Sequence, residues 1–125
     1  MTTVDRVAPL TARQRDKLRT RLASEQIDVQ GTVDALLLEL ESFQASRRDT
    51  TTDDGQDPEG PALDFEKSQA TVVLHQSRSH LQQIGKAMHR LDEGSYGICQ
   101  RCNEQIPFAR LEARPYSAFC VSCAD

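Results

Sequence analysis

Four cysteines close the chain in two pairs, Cys99-Gln-Arg-Cys102 and Cys120-Val-Ser-Cys123, with 17 residues between the pairs. Each pair has the spacing of a tight knuckle that turns two thiolates to one side, and two knuckles together complete a tetrahedron of sulfurs. That donor set suits one zinc ion. Four thiolates leave no coordination position for water, and zinc has no redox chemistry, so the expected ion is structural. It would supply folding energy to a segment of about 30 residues that is too short to build its own core. The same four thiolates could hold an iron–sulfur cluster instead. Two disulfides would require an oxidising compartment, and Met1 to Leu10 lacks the charged-then-apolar pattern of a secretory signal. A redox cysteine pair of the thioredoxin kind would want a βαβ setting, which the pattern does not offer.

No other group of residues promises catalysis. His75, His80 and His89 fall in one helical stretch, and His75 and His89 share a face. Two heptads separate them, too far to ligate one metal, so they read as solvated helix-face residues. There is no phosphate-binding loop, no H-E-x-x-H and no Ser-His-Asp order. An enzyme is not expected. Residues 49–63 hold Asp49, Asp53, Asp54, Asp57 and Glu59 and no base, together with Gly55, Pro58, Gly60 and Pro61. This reads as an acidic loop.

The elements that must position these residues are helical. Thr11-Ala-Arg-Gln14 has the form of a capping box, and from there to about Arg48 there is no Pro and one Gly, Gly31. Leu22, Val29, Val33, Leu36, Leu40 and Phe43 make the narrow apolar seam of a coiled coil, interrupted at Gln26. A helix of that span would be roughly 55 Å long. Asp64 to about Glu93 carries a matching seam, Ala70, Leu74, Leu81, Ile84, Met88 and Leu91, with Ser77 in the missing position. Gly94 then stands where a left-handed helix stop belongs.

Two helices with one seam each, joined by a short polar loop, predict an antiparallel hairpin, because neither would be stable alone in water. The competing three-helix bundle lacks a third helix of comparable length. The hairpin would hold the acidic loop ~45–55 Å from the cysteines, a geometry suited to placing carboxylates in a partner's narrow cleft, near Mg²⁺ or basic side chains. The expected organisation is a flexible N-terminus over 1–10, the hairpin over 11–93 with its tip loop at 49–63, and the cysteine module over 94–125. Around the cysteines, Tyr96, Ile98, Ile106, Phe108, Leu111, Tyr116 and Phe119 can form a small apolar shell.

Composition narrows the partners. The chain has 125 residues, 38% hydrophobic, 27% charged and without Trp, which leaves room for a folded domain but not for a large core. No apolar run approaches the ~20 residues of a membrane span, and with no signal pattern the expected location is the cytoplasm. The net charge of −4 disfavours a phosphate backbone as ligand, so sequence-specific DNA binding is not expected. Arg13, Arg15, Lys17, Arg19 and Arg21 nevertheless crowd the start of the first helix. Their charge opposes the macrodipole there, and they could be a solvated face, a protein contact or a local nucleic-acid patch.

The run Gly94-x-Tyr96-Gly97-x-Cys99-x-x-Cys102, with Ile106, Arg110-Leu111-Glu112-Ala113-Arg114-Pro115 and Cys120-x-x-Cys123, resembles the TraR/DksA family of C4-type zinc-finger proteins. The hairpin before the finger is similar to the longer, DksA-like branch, so the likeness extends over residues 11–123. The resemblance implies a bacterial transcription regulator that binds RNA polymerase through its secondary channel. The hairpin tip would lie near the catalytic Mg²⁺ and modulate initiation, with no catalysis of the regulator's own. It implies tip roles for Asp54, Asp57 and Ala62, and contacts from Arg110 and Arg114 to the polymerase rim or to a nucleotide at its surface.

This sequence departs from the family at several positions. The activating tip pattern is D-x-x-D-x-A. Asp57-Pro-Glu-Gly60-Pro-Ala62 puts glycine at its second acid, and the frame Asp54-Gly-Gln-Asp57-Pro-Glu59 loses the alanine. Asn103 replaces the usual glycine after the second cysteine, and asparagine tolerates the positive φ needed there. Of the basic positions through which members of the family respond to ppGpp, Arg114 is kept, but the helix positions, including Gln76 and Gln83, are uncharged. The chain also stops at Asp125, short of the family's C-terminal helix. With its tip altered in this way, the scaffold could alternatively serve as a zinc-stabilised protein-interaction adaptor with no direct effect on polymerase catalysis.

Overall fold

A computed structural model describes residues 7–50 and 60–124, including their side chains except at 46–50, 60, 61 and 63. It has α1 over Ala12–Thr50, α2 over Gly60–Glu93 and the short α3 over Phe108–Ala113. Among the described residues there is no strand, only an isolated bridge between Ile98 and Gln105. The expected class, all-α with two long helices followed by a small four-cysteine module, is the class observed.

The helix ends follow from local chemistry. Thr11 Oγ1 accepts from the Gln14 backbone N–H at 3.1 Å, and Gln14 Oε1 accepts from the Thr11 N–H at 2.9 Å, the reciprocal capping box. Gly94 ends α2 at φ +85°, and the N–H groups of Ser95 and Tyr96 both donate to the Arg90 carbonyl, at 2.9 and 3.1 Å. Both ends of the expected 49–63 loop are helical, because α1 continues to Thr50 and α2 starts at Gly60, and 51–59 lie outside the described residues. Pro61 fits this early start: in a first helical turn its N–H would have no partner in any case, and its φ is preset.

The chain divides into two compact units, Asp28–Leu81 and Met1–Ile27 with Gln82–Asp125. In the first, the seam read from the sequence is the buried one. Val33, Ala70 and Leu74 are buried, and Val29, Leu36, Leu40, Phe43, Ser77 and Leu81 are half-buried. Apolar residues off the seam, Leu37, Leu38, Phe65, Val72 and Val73, remain exposed. Thr32 and Thr71 return their hydroxyls to the carbonyls four residues back, at 3.3 and 2.8 Å, which satisfies them inside a helix.

The second unit sets the beginning of α1 beside the end of α2, where Arg19 Nη1 donates to Asp92 Oδ1 at 3.1 Å. Leu18, Leu22, Ile84 and Ala87 have no exposed surface. Leu18 lies one step off the heptad seam because a second neighbour covers it. Lys17 Nζ reaches Glu112 Oε2 at 3.0 Å, and Arg21 donates to the Glu112 carbonyl, so this side of α1 faces α3. The folded region also begins earlier than residue 11. Leu10, expected in a flexible N-terminus, is 6% exposed and packs against Gly97.

Candidate metal centre and basic cleft

The finger is folded by its backbone. The Cys99 N–H donates to the Glu104 carbonyl at 2.8 Å, and the Asn103 N–H returns to the Cys99 carbonyl at 2.9 Å, closing the first knuckle. Asn103 takes φ +62°, the left-handed conformation that asparagine accommodates. The second knuckle closes through Cys123 and Ala124 N–H groups on the Cys120 carbonyl, at 3.1 and 2.9 Å. A bond from Gln100 N–H to the Ala118 carbonyl at 2.9 Å ties one knuckle to the other. Beneath them Tyr96, Ile106, Leu111 and Pro115 are buried, and Tyr96 Oη donates to the Pro115 carbonyl at 2.7 Å. Most of the expected apolar shell is present, with Ile98, Phe108 and Tyr116 half-buried. Phe119 differs: it is exposed, with the Arg101 guanidinium over its ring at 5.8 Å from the centroid.

The four cysteines expected as ligands come together. None is in a disulfide, and their sulfurs all lie within 4.8 Å of one another. Zinc–sulfur bonds of about 2.3 Å in a tetrahedron give sulfur–sulfur edges of about 3.8 Å, and Cys102 Sγ and Cys120 Sγ are 3.8 Å apart. The thiol chemistry fits a dication too. Burial works against a Cys99 thiolate, but backbone N–H groups of Cys102, Cys120 and Arg101 outweigh it and pull the thiol down to about 6. Its neighbours then resist ionising beside it: the hydrogen bond to Cys120 and burial push Cys123 up to about 12. A bound cation removes that opposition and lets all four ionise. Cys99, Cys102, Cys120 and Cys123 therefore fit one structural Zn²⁺.

Next to the knuckles is a cavity of about 520 Å³ whose lining includes Lys86, Arg90, Arg101, Arg110 and Arg114 and no acid. Arg90 is 7% exposed, and its Nη2 has no hydrogen-bond partner among the described residues. Burial lowers its pKa, which the nearby Tyr96 partly offsets. Arg110 is held in place by donating from Nε to the Phe119 carbonyl at 3.2 Å, while Arg114 is exposed. The structure thus brings the two arginines singled out in the sequence to one cleft. It adds Lys86, Arg90 and Arg101, which periodicity could not find because they sit on two different elements. Gln83 also lines the cleft, uncharged as read. Of the proposed tip residues, Asp54 and Asp57 lie outside the described residues, and Ala62 is exposed in the first turn of α2. The basic run on α1 is partly consumed internally, since Lys17, Arg19 and Arg21 are engaged with Glu112 and Asp92. His75 is exposed, His80 half-buried, and His89 Nε2 lies 3.2 Å from Glu93. No helix among the described residues is long and apolar enough to cross a membrane.

Residues 94–125 match the family model described as prokaryotic dksA/traR C4-type zinc finger. Over 45 residues, 36% of this chain and 31% of the relative, the sequence is 44% identical to an uncharacterised protein of Aquifex aeolicus. It is 36% identical to general stress protein 16O of Bacillus subtilis over 40% of this chain and 31% of that one. It is 40% identical to the RNA polymerase-binding transcription factor DksA of Caulobacter vibrioides over 38% and 34%. The chain thus spans about a third of the length of these relatives. The structure of transcription factor DksA2 from Pseudomonas aeruginosa superposes with a TM-score of 0.74 at 22% identity, covering 89% of this chain and 80% of that one, a likeness of fold. With its four cysteines, knuckles and L-E-A-R-P run in place, the C-terminal segment 94–125 is a zinc finger of the prokaryotic dksA/traR C4 type, and the likeness over the rest of the chain is one of fold.

Proposed function

We propose that this protein is a transcription regulator of bacterial RNA polymerase, acting in the cytoplasm from the polymerase secondary channel and without catalysis of its own. The observation that carries the reading is the finger match joined to a DksA2-like fold across most of the chain. The cleft supports it: five cations without an acid, beside a rigid metal centre, suit an anionic partner surface. In this reading Arg110 and Arg114 contact the polymerase rim or a nucleotide there. Asp54, Asp57 and Ala62 work at the tip, near the catalytic Mg²⁺. Gln83 in the cleft gives ppGpp one charge fewer to bind than a lysine or arginine there would. The test is co-purification of the zinc-loaded protein with RNA polymerase at low salt, followed by photo-crosslinking from position 62. A complex whose crosslinks fall on the secondary channel supports the reading, and no complex defeats it.

A second reading, an adaptor that binds without altering polymerase catalysis, is favoured by Gly60, which stands where the family's tip pattern has its second acid. It predicts a complex with polymerase, or with another protein, and unchanged transcription from sensitive promoters.

A further inference from the structure

Arg101 sits between the two ligands of the first knuckle in sequence and reaches across to the second. Its Nη1 donates to the carbonyl of the ligand Cys123 at 3.3 Å, and its guanidinium lies over the Phe119 ring, one residue before the ligand Cys120. Phe119 is itself fixed: its carbonyl accepts from Ser117 Oγ at 2.9 Å and from Arg110 Nε at 3.2 Å. Cys99 is buried, but Cys102 is exposed and Cys120 and Cys123 are half-buried, so the cluster is not sealed from solvent. A zinc ion with four thiolates carries two net negative charges, and groups around the ligands tune how firmly the metal is held.

From these contacts we infer that Arg101 is a positioning residue of the zinc site: a latch that joins the second knuckle to the first, brings positive charge to the tetrathiolate and slows loss of the ion. The latch needs the planar guanidinium, which can bond a carbonyl while stacking on a ring; an ammonium supplies charge without that fork. The inference rests on the zinc assignment and is independent of the polymerase reading.

The experiment is transfer of zinc from the loaded full-length protein to a chromophoric chelator, followed by absorbance. Arg101→Ala is expected to release zinc about 10–100-fold faster. Arg101→Lys, which keeps the charge, should fall between Arg101→Ala and the unsubstituted protein, a partial rescue that a purely steric role would not give. Phe119→Leu should speed release several-fold by removing the ring. The urea midpoint of the loaded protein, read by tyrosine fluorescence, separates metal release from unfolding. Release from Arg101→Ala within twofold of the unsubstituted rate overturns the inference. If Arg101→Ala does not fold, unchanged release from both Arg101→Lys and Phe119→Leu overturns it equally.

Discussion

Gly97→Ala offers the sharpest test of how the finger is seated. Gly97 has φ +90°, where an L residue carries a penalty of roughly 1–2 kcal/mol. A Cβ there would stand 2.9 Å from Gln105 Nε2 and 3.0 Å from Leu10 Cδ1. Gln105 cannot simply retreat, because that nitrogen donates to the Gly97 and Ile106 carbonyls at 2.9 and 3.1 Å. Relieving that contact would disturb those bonds, and Leu10 must give way as well, forfeiting part of the ~1.5–3 kcal/mol that burying a leucine supplies. The expected total is a loss of about 2–4 kcal/mol. Urea unfolding of the zinc-loaded protein followed by tyrosine fluorescence measures it well, because the chain has no Trp and both tyrosines, Tyr96 and Tyr116, report on the finger. In a Leu10→Ala background the Leu10 part of the clash should vanish while the Gln105 part remains, giving a coupling of about 1 kcal/mol between positions 10 and 97. A Gly97→Ala protein within about 0.5 kcal/mol of the parent would refute the reasoning, since both the strain and the contact would then be absent.

Two further outcomes are expected. Cys102→Ser should abolish stoichiometric zinc binding and finger folding while leaving most of the helical circular dichroism intact; retention of one tightly held zinc per chain would overturn the four-ligand assignment. Burial pushes the Tyr96 phenol up to about 12, against the opposing charges of Arg90 and Arg21. A raised folded-state pKa means that stability is fully present below the unfolded value near 10 and is lost as pH rises from about 10 to about 12. Finger stability should fall across that window, and Tyr96→Phe should remove this part of the fall, at the cost of the hydrogen bond to Pro115.

What was legible in the sequence was whatever depends on near neighbours along the chain. The capping box at Thr11 and Gln14, the helix stop at Gly94 and the left-handed Asn103 are each decided within a few residues, and each stands as read. The seam was equally plain, because two helices that bury only one stripe each must repeat it every three or four residues. The cysteines announced their centre through spacing alone. Hidden was whatever depends on the finger's path in space. Leu10 precedes any periodic segment, so only its meeting with Gly97 makes it a core residue. Phe108–Ala113 spans too few residues to show a helical period, yet α3 positions Arg110 and the buried Leu111. Phe119 counts as core by type but serves as a platform for Arg101, because the second knuckle points it outward. The acidic composition of 49–63 hid the helical start at Gly60, where proline acts as a beginning and not a break.

The polar contacts that link α1 to α2 and α3 do not by themselves hold the finger. Lys17–Glu112 and Arg19–Asp92 join side chains that are 39% to 67% exposed, and exposed pairs of this kind contribute at most about 1 kcal/mol each. In the same unit Leu18, Leu22, Ile84, Ile106 and Leu111 are without exposed surface, each contributing about 1.5–3 kcal/mol on burial. Apolar burial therefore dominates cohesion over these exposed ion pairs. The metal has a more local task. Its ligands lie on two knuckles joined directly by one backbone bond, from Gln100 to Ala118, and by the Arg101 latch. Those knuckles form one wall of the cleft that carries Arg101, Arg110 and Arg114. Zinc bound by the four cysteines would thus fix where those charges point, and a finger without it would keep its arginines but lose their arrangement along the cleft.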